Sequence, residues 1–211
     1  EREKHGSKAF LHISELLAAS EEQYEKDYIE RETRKGRERE ELDPEQSWRA
    51  FKGKNFERLI LYMIEDAVDQ LGLKCTRDSK LTAKHLSEEL SKVRRNLVVH
   101  YGEYDVLPDT DIAIYDPETC EIMAVVSCKI TLRERIAQTA YWKLKLLGDP
   151  VTRNIKVFFV TPDEDAHLVS REEPSKPRII AESDTDGAYV LRGDVEQSAK
   201  VKIFSQFLDD L

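Results

Sequence analysis

Cysteine is scarce in this 211-residue chain, and its three copies, Cys75, Cys120 and Cys128, are odd in number and without CxxC spacing. That pattern argues against a disulfide framework and a structural zinc site, and predicts three reduced, mostly buried thiols. Histidine is equally thin. His5, His12, His85, His100 and His167 are scattered, with no HExxH pair, so a histidine-based hydrolase or zinc protease finds no support. No apolar run approaches the roughly 18 residues that cross a bilayer, and the charged first residues have no apolar signal region behind them. A soluble, cytoplasmic protein is expected. Excess positive charge is also missing. A formal charge of −9 disfavours a protein that coats nucleic acid without specificity, yet leaves room for a local basic cleft.

What is present is enough for a core: 40% hydrophobic residues, with eight Tyr and seven Phe among them. Since domains most often run to about 100 to 150 residues, the length predicts one main domain plus an extension. The first 45 residues combine an apolar piece, FLHISELLAAS, with a charged run in which Ile13, Leu16, Leu17, Tyr24 and Tyr28 keep near-helical spacing. They read as an N-terminal helical extension over residues 1–45, ahead of a main domain over 46–211. Asp43-Pro44 marks a turn or helix start.

From Ser47 to Leu71, Phe56, Leu59, Ile60, Met63, Ile64, Ala67, Val68 and Leu71 recur at three and four, the signature of an amphipathic helix that Gly72 ends. A second helical segment is predicted over residues 81–98. Then IAIY at 112–115, the turn residues 116–119 and EIMAVVSCK at 121–129 read as a β-hairpin. TLRERIAQTAYWKLKLL reads as a helix and IKVFFVTP as a buried strand, together a strand, helix, strand crossover. RII at 178–180 and AYVL at 188–191 are short strand candidates, and residues 196–211 read as a final amphipathic helix. The order implies an α/β fold with a mixed sheet flanked by helices.

Residues two apart on a strand share a face, so Ser127 and Lys129 point one way, and Asp109 and Asp111 share a face of the partner strand. Pairing through the short turn brings these four together. Magnesium takes a few hard oxygen ligands and keeps several waters, while phosphodiester hydrolysis needs an activated water and a cation near the developing charge. Asp109 or Asp111 with a backbone carbonyl near Cys128 would hold the ion, and Lys129 would orient the water and stabilise the transition state. Glu57, at the border of the long helix's apolar stripe, is placed to supply another carboxylate.

The string Pro108-Asp109-Thr110-Asp111 followed by Ser127-Cys128-Lys129 resembles the PD-(D/E)XK motif, in the variant where serine replaces the second acid. Its continuation to Arg133-Glu134-Arg135 resembles the recognition motif of type II restriction endonucleases reading CCGG or CCNGG sites, the group that includes EcoRII, NgoMIV and BsaWI. The likeness covers about residues 50–160. It implies a PD-(D/E)XK restriction endonuclease-like core that uses Mg²⁺ to cut double-stranded DNA at a GC-centred palindrome. It also implies a homodimer and a functional pairing with a DNA methyltransferase in a prokaryotic cell.

In that group two basic residues flanking an acid read G and C edges from the helix after the catalytic lysine. Arginine can bond guanine O6 and N7 bidentately and glutamate can accept from cytosine N4, which suits Arg133, Glu134 and Arg135. One departure stands out. Relatives carry a glutamate thirteen or fourteen residues after the lysine, where this chain has Trp142 and Lys143. Glu57, or more weakly Gln138, is then the substitute, and Gln138 is also placed with Arg133, Glu134 and Arg135 among the DNA-binding residues. Lys52, Lys54, Arg94, Arg95, Lys143 and Lys145 are candidate phosphate contacts. Two rival readings are a non-catalytic DNA-binding module on a nuclease fold and a structure-specific repair nuclease.

Overall fold

A computed structural model of the chain describes residues 6–132 and 134–211. A 3-10 turn, Gly6–His12, leads into helix α1, Ile13–Arg34, and a long helix α2, Pro44–Gln70, follows. The Asp43 side chain accepts from the Gln46 amide at 2.8 Å with Pro44 at the first helical position, which satisfies a free end donor and pre-sets φ. Gly72, at φ +77°, closes the helix: its amide donates to the Asp69 carbonyl and that of Leu73 to Val68. α2 presents an apolar stripe inward, where Phe56, Ile60, Ile64 and Val68 are all buried at intervals of four.

Strand β1, Lys74–Arg77, comes next, followed by a single helical turn α3, Asp78–Leu81, and helix α4, Glu88–Arg95. A small hairpin of β2, Val99–Tyr101, and β3, Tyr104–Val106, precedes β4, Ile112–Tyr115, and β5, Ile122–Cys128. Helix α5, Arg135–Leu147, crosses to β6, Lys156–Thr161; helix α6, Lys176–Asp184, then leads to β7, Gly187–Val190, and β8, Val201–Ile203. Among the described residues the main sheet has six strands in the order β1-β4-β5-β6-β7-β8. The β1/β4 and β4/β5 pairs are antiparallel, and β5 through β8 run parallel. The expected hairpin, crossover and mixed sheet are therefore present.

One sheet face packs on α2 and the N-terminal segment: Ile112, Ile114, Ala124, Val126 and Phe158 share a core with Phe56, Ile60, Phe10, Ile13 and Leu17. The other face meets α4, α5 and α6 through Ala113, Val125, Phe159 and Ala188. The N-terminal extension is thus docked. Beyond Leu17 it is held to α2 by Tyr24, whose ring lies 4.2 Å from that of Phe51 and whose hydroxyl is 2.8 Å from Ser47 Oγ. None of the described helices is long and apolar enough to cross a membrane. All three cysteines are free thiols, Cys120 and Cys128 buried and Cys75 half-buried.

Three sequence expectations are corrected. The segment read as a closing helix contains β8 instead, because Val201 and Ile203 pair in parallel register with Ala188 and Val190, and two 3-10 turns follow. RII lies in α6, started by Ser175, which accepts from the Arg178 amide, and by a proline in the first turn. The helix predicted over 81–98 shrinks to Glu88–Arg95, capped by Ser87, and its last residues approach β2.

Phe56 is fully buried, one residue from Glu57. Phe56→Ala should destabilise the chain by about 3 to 5 kcal/mol, measurable by urea denaturation; a loss well under 1 kcal/mol would mean that α2 does not anchor this core.

Candidate active site

The hairpin turn sets the register. Asp116 Oδ1 accepts from the amides of Glu118, at 2.7 Å, and Thr119, at 3.1 Å, and Cys120 takes the left-handed conformation at φ 60°. With that turn fixed, Ile112 faces Val126, and the Asp111 amide still donates to the Val126 carbonyl at 3.0 Å. Asp111 is thereby carried to the start of β4, beside the end of β5. Its carboxylate accepts from the Cys128 amide at 2.6 Å and from Lys129 Nζ at 2.9 and 3.0 Å to its two oxygens. Lys129 is in turn held to the neighbouring strand, its amide donating to the Val160 carbonyl.

The other sequence-derived positions divide. Asp109 is exposed, and its Oδ2 accepts from Gln138 Nε2 at 2.6 Å. Gln138 lies on the solvent side of α5, one turn beyond Glu134 and Arg135, which are exposed where the helix begins. Arg133 lies outside the described residues. Ser127 is buried within β5. Glu57 reaches the same centre from α2: burial first, then the charge of Asp111 and a hydrogen bond to it, push its carboxyl up to about 7, against the opposing pull of Lys129 and Arg77.

Lys143 turns away from this edge, 2.6 Å from Asp186, and Lys52 is bound to Glu164 at 2.7 Å. Lys145 sits over the rings of Tyr101 and Tyr141. These three cations are occupied within the protein. The Cys128 thiol, wholly enclosed, is pushed well up by burial and is inert as a nucleophile.

Two residues that sequence reading passed over belong to the centre. β1 ends against the start of β4, with Arg77 opposite Ile112 and the Asp78 amide donating to the Asp111 carbonyl at 3.2 Å. The Asp78 carboxyl is raised by burial and by the charges of Asp109 and Asp111. The available sequence signal was a short β-compatible run, KCTR, between a helix-ending glycine and an aspartate.

Two interacting carboxylates, one held back from ionising by burial and by the charge of the other, form a donor set that a divalent cation suits, because the cation relieves their mutual repulsion. Among the described residues no three His, Cys, Asp or Glu side chains converge at metal-holding geometry. The remaining ligands of such an ion would be water, a backbone carbonyl and substrate oxygen, as magnesium favours.

The family model of the BsaWI restriction endonuclease type 2 matches residues 89–210, more than half of the chain. A putative type II restriction enzyme, MjaVIP of Methanocaldococcus jannaschii, is 38% identical over 207 residues, covering 95% of this chain and 92% of its own. A probable type II restriction enzyme of Helicobacter pylori, HpyAORF263P, is 38% identical over 148 residues, covering 70% of this chain and 76% of its own. The solved complex of the restriction endonuclease PspGI with substrate DNA has the same fold, with a TM-score of 0.56 at 18% identity over 94% of this chain and 78% of that one. The matched segment contains Asp111, Lys129 and the α5 entry, and the chain belongs to the BsaWI family of type II restriction endonucleases.

Proposed function

We propose that the chain hydrolyses double-stranded DNA in a Mg²⁺-dependent reaction at a GC-centred, CCGG-like palindrome, acting as a homodimer paired in its cell with a methyltransferase of the same specificity. The observation that carries the reading is the contact of Lys129 Nζ with both Asp111 oxygens, under Glu57, at the mouth of the β4/β5 hairpin. Asp111 and Glu57 are the residues suited to hold the ion, with Asp109 at the rim. When bound, Mg²⁺ supplies Lewis-acid polarisation of a phosphoryl oxygen.

The protein's own groups have separable tasks. Lys129, fixed by its strand and by Asp111, presents a cation where charge accumulates on the transferring phosphoryl group. Glu57, beside Asp111, is placed to accept a proton from an attacking water. Ser127 supports this end of β5 from within the sheet. Arg133, Glu134 and Arg135 read the base edges, and Gln138 couples that reading face to Asp109, two residues before Asp111. A palindromic site calls for two-fold symmetry, so each subunit cuts one strand.

Incubating the protein with unmethylated duplex DNA, with and without Mg²⁺, tests the reading on a gel. Discrete Mg²⁺-dependent fragments with CCGG-centred ends are expected. Retained specific binding without cleavage would favour the binding-module reading, and cutting confined to branched DNA would favour a repair nuclease. In the same assay Arg135→Ala should weaken recognition by about 1 to 3 kcal/mol per lost guanine contact; unchanged site preference would remove Arg135 from base reading.

A further inference from the structure

Arg77 ends β1 at the edge of the main sheet, directly opposite Ile112 and therefore one residue from Asp111. Opposed residues of an antiparallel pair share a face, and Ile112 packs in the core beneath α2. The Arg77 side chain thus leaves the sheet on the side that carries Glu57. The hydrogen bond from the Asp78 amide to the Asp111 carbonyl holds this strand end against the site.

Charge accounting makes the position unusual. Glu57, Asp78, Asp109 and Asp111 influence one another here, and a phosphodiester approaching them meets negative charge. Lys129 is committed to Asp111, and Lys52 to Glu164. Arg77 is half-buried; its charge acts on Glu57, yet among the described residues it makes no salt bridge or side-chain hydrogen bond to a carboxylate. A partly desolvated guanidinium whose hydrogen-bond donors are not taken up by a described carboxylate is suited to two oxygens of one phosphate, which a lysine ammonium would meet only as a point charge.

We propose that Arg77 binds a backbone phosphate of the strand being cut and positions it over Asp111 and Lys129. The inference rests on the endonuclease reading above and adds a residue to it. Phosphate contacts fix register without specifying sequence, so the contribution is the same on cognate and non-cognate duplex.

The test compares Arg77→Gln and Arg77→Lys with the wild type in duplex binding as a function of salt, with Ca²⁺ in place of Mg²⁺, alongside thermal unfolding. In Arg77→Gln the slope of log affinity against log salt should fall by about one, and affinity should drop about ten- to a hundredfold on cognate and random duplexes alike. Arg77→Lys should recover the slope. A merely structural arginine would shift the unfolding midpoint and leave the slope intact, and that outcome would overturn the proposal even if the wild type cuts normally. A wild type that binds no duplex would fail the endonuclease reading itself and take this inference with it.

Discussion

Lys129→Ala should lower Mg²⁺-dependent cleavage by about a thousandfold or more while leaving the affinity for duplex DNA nearly unchanged. The lysine is 14% exposed, directly follows β5 and has both Asp111 oxygens within reach, so its side chain has little freedom to be replaced by a neighbour. Duplex affinity, by contrast, is set by phosphate and base contacts spread over a larger surface. The substitution also removes the partner of a carboxylate that is only 9% exposed. Losing one half of a buried pair costs about 3 to 5 kcal/mol where nothing compensates; here the Cys128 amide remains bonded to Asp111, and Glu57 is available to share a proton with it. The rate comparison therefore belongs well below the melting temperature, with Lys129→Gln as a control that keeps a donor and loses the charge. If both variants bind and neither cuts, the charge itself is required. A Lys129→Ala protein that cuts at the wild-type rate would end the catalytic assignment.

The reasons why that centre was only partly readable lie in how each residue arrives there. Lys129 was legible because β5 is a long apolar strand ending in a cation, and the Asp116-to-Thr119 turn fixes where its partner begins. Asp109 and Asp111 were indistinguishable in sequence, since the choice depends on the Cys128 amide, which bonds Asp111, and on Gln138, which takes Asp109 outward. Glu57 was visible as a carboxylate at the border of an apolar stripe. Arg77 and Asp78 were not, because their nearness to Asp111 comes solely from β1 pairing with β4 across the intervening helices and small hairpin. Four residues with two basic side chains carry too little alternation to announce a strand.

The same physics explains the two ends of the fold. α2 could be read because its periodicity, proline start and glycine stop agree with one another. β8 could not, because its three residues become a strand only through β7, and the flanking apolar residues mimic a helical repeat. Where local preference and packing point the same way the sequence suffices; where a neighbour supplies the hydrogen bonds, it does not.

Glu57→Gln should abolish most cleavage, by about a hundredfold or more, and at the same time stabilise the chain above neutrality. The sign follows from linkage. The Glu57 carboxyl titrates at about 7 in the folded chain against an ordinary value of 4.5, so between those values the folded state keeps a proton that the unfolded state has released. That contribution to stability is full below about 4.5 and is lost as pH rises through about 7. Glutamine, unable to ionise, carries no such loss, and the melting-temperature gap between variant and wild type should widen in the variant's favour as pH rises across this window. Arg77 and Lys129 oppose the raised value, so Arg77→Gln in the Glu57 background should move the midpoint of this change upward. Divalent metal supplies the complementary arm: a cation held by Glu57 and Asp111 displaces the shared proton, and calorimetric titration of the wild type with Ca²⁺ near neutral pH should show proton release that Glu57→Gln lacks. Parallel melting curves for the two proteins at every pH would show that neither burial nor the charge of Asp111 holds the proton on Glu57. Equal proton release from both would place the cation elsewhere, leaving Glu57 as a base without a share in metal binding.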